Sequence, residues 1–329
     1  MPKISVLMPV YNPKEEYLRE SIESILNQTY SDYEFIIIND SSTNNAKQVI
    51  LSYDDSRIKY FENEENLGLI KTLNRGLELV TGEYIARMDQ DDISLPERFA
   101  KQVDFLDNNK DIDVLGTWFK RFPKDIIMDL PSEDADIKEF FLFNNNAIGH
   151  PTVMIRKSTL DKYDFKYNEE HKNAEDYGLW LNMMEKTKFA NLPEVLLNYR
   201  LHENNISVAS SKEQVDMAIN LRLYYQKKYL GENYFEDTRK IEEIKIKLNE
   251  KQIITSEEFE IVVRHLEFRL QKVKNKISPQ DFVPIYKLAV KNCKRDYTFL
   301  STLWNNKLNK LVKNSLYFMI KNTVLGYNK

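Results

Sequence analysis

Along residues 1–120 the apolar positions fall into two alternating rhythms. Short runs rich in Ile, Val, Phe and Tyr occupy Ile4 to Val10, Phe35 to Asn39, Arg57 to Phe61, Glu83 to Met88 and Asp113 to Phe119, which is the length and composition of strands. Between the first two, Leu18, Ile22, Ile25 and Leu26 recur at helical spacing, and Leu69 to Val80 supplies another helix closed by Thr81-Gly82. Strands alternating with helices predict an α/β domain on a parallel sheet. Past Ser210 the punctuation changes. Only two of the eight glycines remain there, Thr255-Ser256-Glu257-Glu258 reads as a capping box, and Ser278-Pro279 reads as a cap with a first-turn proline. The expected division is an α/β domain over 1–209 and an all-helical region over 210–329. In the latter, Leu300, Leu303, Trp304, Leu308, Leu311, Val312 and Leu316 form a stripe flanked by Lys307, Lys310 and Lys313.

Charge sharpens that division. From residue 271 onward twelve Lys and Arg face only Asp281 and Asp296, so this end carries +10 and the rest −14, within a net −4. A basic amphipathic helix on an acidic body suits an anionic membrane surface, or equally a solvated face of a packed helix, including one at a homo-oligomer contact. Composition excludes other classes. With 42 % hydrophobic and 30 % charged residues the chain has a core to bury, and Cys293 alone forms no intrachain disulfide and no multi-cysteine zinc site. No apolar run approaches the roughly 18 residues of a membrane span, and no signal peptide is evident, so the expected location is cytoplasmic, peripheral at most at the inner membrane face. Nothing suggests a nucleic-acid partner.

Ligands of an open parallel sheet collect at the carboxyl ends of its strands. There the chain places Pro9-Val10-Tyr11-Asn12, Asn39-Asp40-Ser41-Ser42 and Asp89-Gln90-Asp91-Asp92. The first turn lacks the glycines of a dinucleotide site, and no P-loop occurs. Three carboxylates within four residues repel one another unless a cation neutralises them, and hard divalent ions take oxygen ligands, which points to Mg²⁺ or Mn²⁺. An acidic helix start ahead of Ser94-Leu95-Pro96-Glu97 is the alternative reading.

The chain resembles the inverting glycosyltransferases of family 2, with a GT-A fold, over about residues 3–208. The likeness rests on Val6-Leu7-Met8-Pro9-Val10-Tyr11-Asn12, Ser24-Ile25-Leu26-Asn27-Gln28-Thr29-Tyr30 and Ile38-Asn39-Asp40-Ser41-Ser42-Thr43. It continues through Asn66-Leu67-Gly68, Gly82 to Asp92, Ala174-Glu175-Asp176-Tyr177 and Tyr199-Arg200-Leu201-His202-Glu203-Asn204-Asn205-Ile206-Ser207. The order and spacing of these pieces are more specific than any one of them. Within the family it looks most like bacterial enzymes that add β-linked galactose or N-acetylhexosamine to surface oligosaccharides.

The resemblance implies a Rossmann-like nucleotide-diphospho-sugar transferase sheet flanked by helices, a UDP-sugar donor, and a glycan or lipid-linked oligosaccharide acceptor. Asp40 matches the aspartate that bonds uracil, with Pro9, Tyr11 and Asn12 as the wall around base and ribose. Asn66, Lys71, Arg87 and Gln90 fall in the donor region, and Arg87 and Lys71 could meet phosphate charge. Asp91 is the expected metal ligand, with Asp89 nearer the ribose and first phosphate and His202 completing the metal site. Asp176 matches the base that takes the acceptor proton, with Glu175 orienting it or touching the acceptor. His150, Asp92 and Trp180 are the weaker candidates for contact with donor sugar or acceptor. Each has a purely structural alternative: a turn aspartate at Asp40, a helix N-terminal charge at Asp176, a packed histidine at His202.

Two rivals remain in view. A sugar-1-phosphate nucleotidyltransferase needs a glycine-rich basic loop after the first strand, which Pro9 to Pro13 does not offer. A glycan-binding or scaffold protein on the same fold would be expected to lose at least one of Asp40, Asp91, Asp176 and His202, and all four are present.

Overall fold

β1 (Ile4–Val10) is buried at every position, the burial of a strand covered on both faces of a sheet. The structure, a computed structural model, describes residues 1–202, 212–230, 232–250 and 252–272. In it β1 runs parallel between β2 (Tyr33–Asn39) and β4 (Tyr84–Arg87), and β3 (Ile58–Glu62) runs parallel outside β2. The connections are α1 (Glu15–Leu26), α2 (Ala46–Leu51) and α3 (Leu69–Leu79). α1 buries Leu18, Ile22 and Ile25 because those positions share one helical face. This arrangement puts the loops after β1, β2 and β4 at the same end of the sheet.

Past β4 the sheet departs from the expected parallel arrangement and becomes mixed. The elements are β5 (Ile93–Ser94), α4 (Arg98–Asn108), β6 (Val114–Phe122), β7 (Ile126–Met128), α5 (Asp134–Phe143), β8 (Met154–Arg156), α6 (Lys157–Tyr163), α7 (Glu175–Met183) and β9 (Phe189–Arg200). The strand order is β3-β2-β1-β4-β8-β6-β9-β5, with β7 paired to β6. β8 leaves a 3₁₀ turn at His150–Thr152, enters at the carboxyl end of β4 and is antiparallel to both neighbours. Three residues are too few to carry a readable period, so β8 has no signature in the hydrophobic pattern. β6 and β9 pair in parallel, and Arg200 at the end of β9 thereby reaches the β4 loop.

The first compact unit runs from Met1 to Tyr225 and the second begins at Gln226, within α8 (Lys212–Leu230). In the second unit, α9 (Glu232–Asn249) and α10 (Ser256–Lys272) bury Ile241, Ile244, Leu248, Phe259 and Val262. The capping box is present in full: Glu258 N donates to Thr255 Oγ1 at 3.1 Å and Thr255 N donates to Glu258 Oε2 at 2.8 Å. Among the described residues no helix is long and apolar enough to cross a membrane. Ser278-Pro279, Cys293 and the basic stripe from Leu300 to Leu316 lie outside the described residues.

Candidate active site

The turn after β1 is cross-braced to its two neighbours. Tyr11 N donates to Gln90 Oε1 at 2.8 Å and Gln90 Nε2 donates back to Tyr11 O at 3.2 Å. Asn12, at φ 44°, accepts on Oδ1 from Thr43 N at 2.8 Å. Pro9 is buried within β1, whereas the Tyr11 side chain is 45 % exposed and offers its ring to solvent at the strand ends.

Asp40 is buried and already engaged. Its Oδ1 accepts from Asn63 Nδ2 at 2.6 Å and Leu67 N at 2.8 Å, and its Oδ2 from Gly68 N at 2.9 Å. Gly68, at φ 81°, is the turn where only glycine is unstrained, and it starts α3. Asp40 therefore braces the Asn63–Gly68 loop, on which Asn66 is exposed. About three of its roughly four acceptor directions are taken. Lys71 is exposed and lies 3.6 Å from Glu169.

Ligand atoms of Asp89, Asp91 and Asp92 converge within 4.8 Å of one another. Asp91 Oδ2 is 2.7 Å from His202 Nε2, and the His202 ring packs 5.4 Å from that of Tyr17. Asp92 is fully buried; Arg200 N donates to its Oδ1 at 2.8 Å, while Oδ2 has no partner. Burial first, then the neighbouring Asp89, raises the Asp91 carboxyl above its ordinary range; burial and both neighbours raise Asp92 well above it. A bare carboxylate set of this kind is costly, and the orphaned Asp92 oxygen fits a hard divalent cation. The structure places Asp92 as the buried member of the acidic cluster.

Arg87, 5 % exposed, forms an ion pair with Asp89. Burial disfavours its charge, but Asp89, with Tyr167 and Asp92, more than offsets that and holds it protonated; Asp91, Asp92, Glu175 and Asp176 all feel the same cation. Its main-chain carbonyl accepts from Arg98 Nη2 at 2.9 Å, and the fully buried Arg98 also bonds Gln102 at 3.0 Å, fixing the end of β4. Arg87 is the interior counter-ion of the acidic groups.

Glu175 and Asp176 open α7, where the helix dipole favours negative charge. Asp176 Oδ2 accepts from Asn146 Nδ2 at 2.7 Å and its Oδ1 accepts from Tyr177 N at 2.6 Å. Burial raises the Asp176 carboxyl, and burial together with Asp176 raises Glu175 to about 7. His150 is buried, bonds Tyr167 Oη at 2.8 Å, and is kept neutral by burial and by Arg87. Trp180 has no exposed surface; its ring is sealed in the core and packs 6.3 Å from His150.

Sequence reasoning missed Asn146, Tyr167 and Arg200 as parts of this arrangement. Arg200 lay within a quoted motif, and its Nε donates to Asp91 O at 2.7 Å while its guanidinium covers the Tyr17 ring at 4.2 Å. Asn146 and Tyr167 sit in loops whose approach to α7 depends on tertiary packing alone.

Residues 5–169 match the family model Glycosyl transferase family 2. An uncharacterized glycosyltransferase of Methanocaldococcus jannaschii is 37 % identical over 65 % of this chain and 76 % of its own length. The UDP-Glc:alpha-D-GlcNAc-diphosphoundecaprenol beta-1,3-glucosyltransferase WfgD of Escherichia coli is 30 % identical over 64 % of this chain and 81 % of its length. In fold, the chain is similar to S. aureus TarS 1-349 in complex with UDP, with a TM-score of 0.57 and 22 % identity over 72 % of this chain and 69 % of that one.

Proposed function

The chain belongs to glycosyl transferase family 2 and is a glycosyltransferase, and from that premise we propose that it moves a hexose or N-acetylhexosamine, with inversion, from a UDP-sugar to a hydroxyl of a bacterial surface glycan or lipid-linked oligosaccharide. The observation that carries the reading is the pairing of two acidic centres around Arg87: the Asp89, Asp91, Asp92 cluster at the end of β4, and Glu175-Asp176 at the start of α7. One centre suits a diphosphate with its cation, the other a proton acceptor.

Asp91 and His202, with Asp89 and the orphaned Asp92 oxygen, would hold Mn²⁺ or Mg²⁺. When bound, the cation neutralises the charge that develops on the nucleoside diphosphate leaving group. The exposed Tyr11 ring offers a stacking face to the base, and the remaining acceptor direction of Asp40 is available to the uracil N3–H. Asp176, oriented by Asn146, takes the proton of the acceptor hydroxyl as its oxygen bonds to the anomeric carbon. The bond from that carbon to the diphosphate oxygen breaks and UDP departs with the electron pair. Attack opposite the leaving group gives a β-linked product from an α-linked donor, without a glycosyl-enzyme intermediate. Glu175, beside the base, tunes its charge.

The acceptor class follows the name of the Escherichia coli relative, which acts on a diphosphoundecaprenol-linked sugar. The +10 segment from residue 271 would then hold the enzyme at an anionic membrane face. Weaker cosedimentation with anionic vesicles after deletion of 297–329 supports that attachment, and unchanged cosedimentation removes it. The function itself is tested by donor hydrolysis with UDP-, GDP- and dTDP-sugars plus Mn²⁺. Turnover of UDP-sugars that EDTA abolishes supports the reading; turnover only of another nucleotide class, or full activity in EDTA, overturns it.

A further inference from the structure

A cleft of about 450 Å³ lies between α7, the loop over residues 166–171 and the part of α8 up to Tyr225. We propose that it is a saccharide subsite that holds the acceptor chain beyond the residue that is attacked, an inference that rests on the glycosyltransferase reading above. The volume is that of a small-molecule site. Leu179, Leu221 and Tyr225 are buried at its base, while Lys166, Asn168, Glu170 and Asn182 bring polar groups to an exposed rim. Tyr224, 63 % exposed, stands at the same rim with its ring edge-on to Tyr225.

The lining selects the ligand class. Lys166 lies 3.6 Å from Asp164, and Glu170 adds a negative charge, so the rim has no surplus of cations for a nucleotide or phosphate. Its amides and charged ends are unsuited to a lipid chain. Amides, a carboxylate and an ammonium are suited to vicinal hydroxyls, and an exposed tyrosine ring to the C–H face of a pyranose. An uncharged sugar is the ligand that uses both.

Position ties the cleft to the chemistry. Gly178, Leu179 and Asn182 follow Asp176 by two, three and six residues on α7, about 3 to 9 Å further along its axis. A chain entering the cleft thus runs toward the proposed base. The loop opposite is shared as well, since Tyr167 bonds His150 on the active-site side while Lys166, Asn168 and His171 line the cleft. The walls are preorganised. Asn74 makes two 2.9 Å hydrogen bonds to the Tyr167 main chain, Gln214 Nε2 donates to Asn173 O at 2.9 Å, and Arg222 donates to Asn144 O. His171 seats directly on Gly178, where a Cβ would lie 2.1 Å from Nδ1, and that buried nitrogen has no hydrogen-bond partner.

Saturation-transfer NMR on the full chain tests the proposal. The probes are the methyl β-glycosides of glucose, galactose, N-acetylglucosamine and N-acetylgalactosamine, with UDP and Mg²⁺ present to fill the donor side. At least one glycoside should show transfer with UDP bound, and Tyr224→Ala and Asn182→Ala, both exposed substitutions, should each reduce it at least fivefold while UDP affinity and donor hydrolysis hold. No transfer to any of the four, or transfer retained in both variants, overturns the subsite. UDP affinity in the same samples separates the two claims: sugar transfer without UDP binding leaves the cleft standing and removes the donor reading, and UDP binding without sugar transfer does the reverse.

Discussion

Replacing Arg87 with methionine keeps the volume of the side chain and removes a cation that both acidic centres share. Arg87 is 5 % exposed and its partner Asp89 has a side chain 27 % exposed, so the pair is buried on one side and partly wet on the other. Breaking a buried pair by deleting one member costs about 3–5 kcal/mol, and the exposure of Asp89 places this case near 3. For a unit of this size, about 2–4 °C per kcal/mol converts that to a fall in Tm of about 6–12 °C. The fall depends on pH. Asp92, Glu175 and Asp176 already titrate above their ordinary range, and loss of Arg87 raises them further. A carboxyl whose folded pKa exceeds its unfolded value keeps a proton the unfolded chain has released, so its contribution to stability is lost as pH rises through the folded value. Arg87→Met should therefore lose little relative to the wild type near pH 5 and the full amount near pH 8, read by thermal melts at both. An equal loss at the two pH values, or less than 2 °C at pH 8, would refute the counter-ion role.

Asp176→Asn should lower turnover by at least the ~10²-fold of a lost general base while UDP affinity stays within twofold; a parallel loss of UDP binding would assign Asp176 to the donor instead. With Glu175 raised to about 7, the acid limb of kcat/KM should lie near neutrality, because a protonated pair accepts no proton; Glu175→Gln removes a neighbouring negative charge and should move that limb to lower pH, and a limb left in place contradicts the coupling. Gly178→Ala places a Cβ 2.1 Å from His171 and should cost about 1–3 kcal/mol in denaturant unfolding, where an unchanged midpoint would mean the loop yields freely.

Strands β1, β2, β3 and β4 and helix α3 were legible because each carries a run long enough to show a period. The polar residues after β1, β2 and β4 then follow from topology alone, which is why Tyr11, Asp40 and the Asp89–Asp92 cluster could be singled out. β8 was not legible, being three residues inserted antiparallel between β4 and β6. Adjacency in a motif says nothing of which side chain turns inward, and Trp180 and Asp92 are both fully buried. Arg87 shows the same limit from the other side. It reads as a strand-end cation free to meet phosphate, but the fold closes it in against Asp89, where Glu175 and Asp176 of α7 also feel its charge. Asp40 is also more constrained than its motif suggests, and Asp40→Asn would disturb the Asn63–Gly68 loop along with any base contact.

In the proposed function the acidic cluster binds a nucleoside diphosphate through a divalent cation, with uracil as the preferred base. Calorimetric titration of UDP into the full chain, in Mn²⁺, in excess EDTA, and against GDP as competitor base, measures it directly. UDP should bind in Mn²⁺ and weaken at least tenfold in EDTA and in Asp91→Asn, with GDP weaker than UDP. Equal UDP affinity with and without the cation, or GDP bound as tightly as UDP, would contradict it.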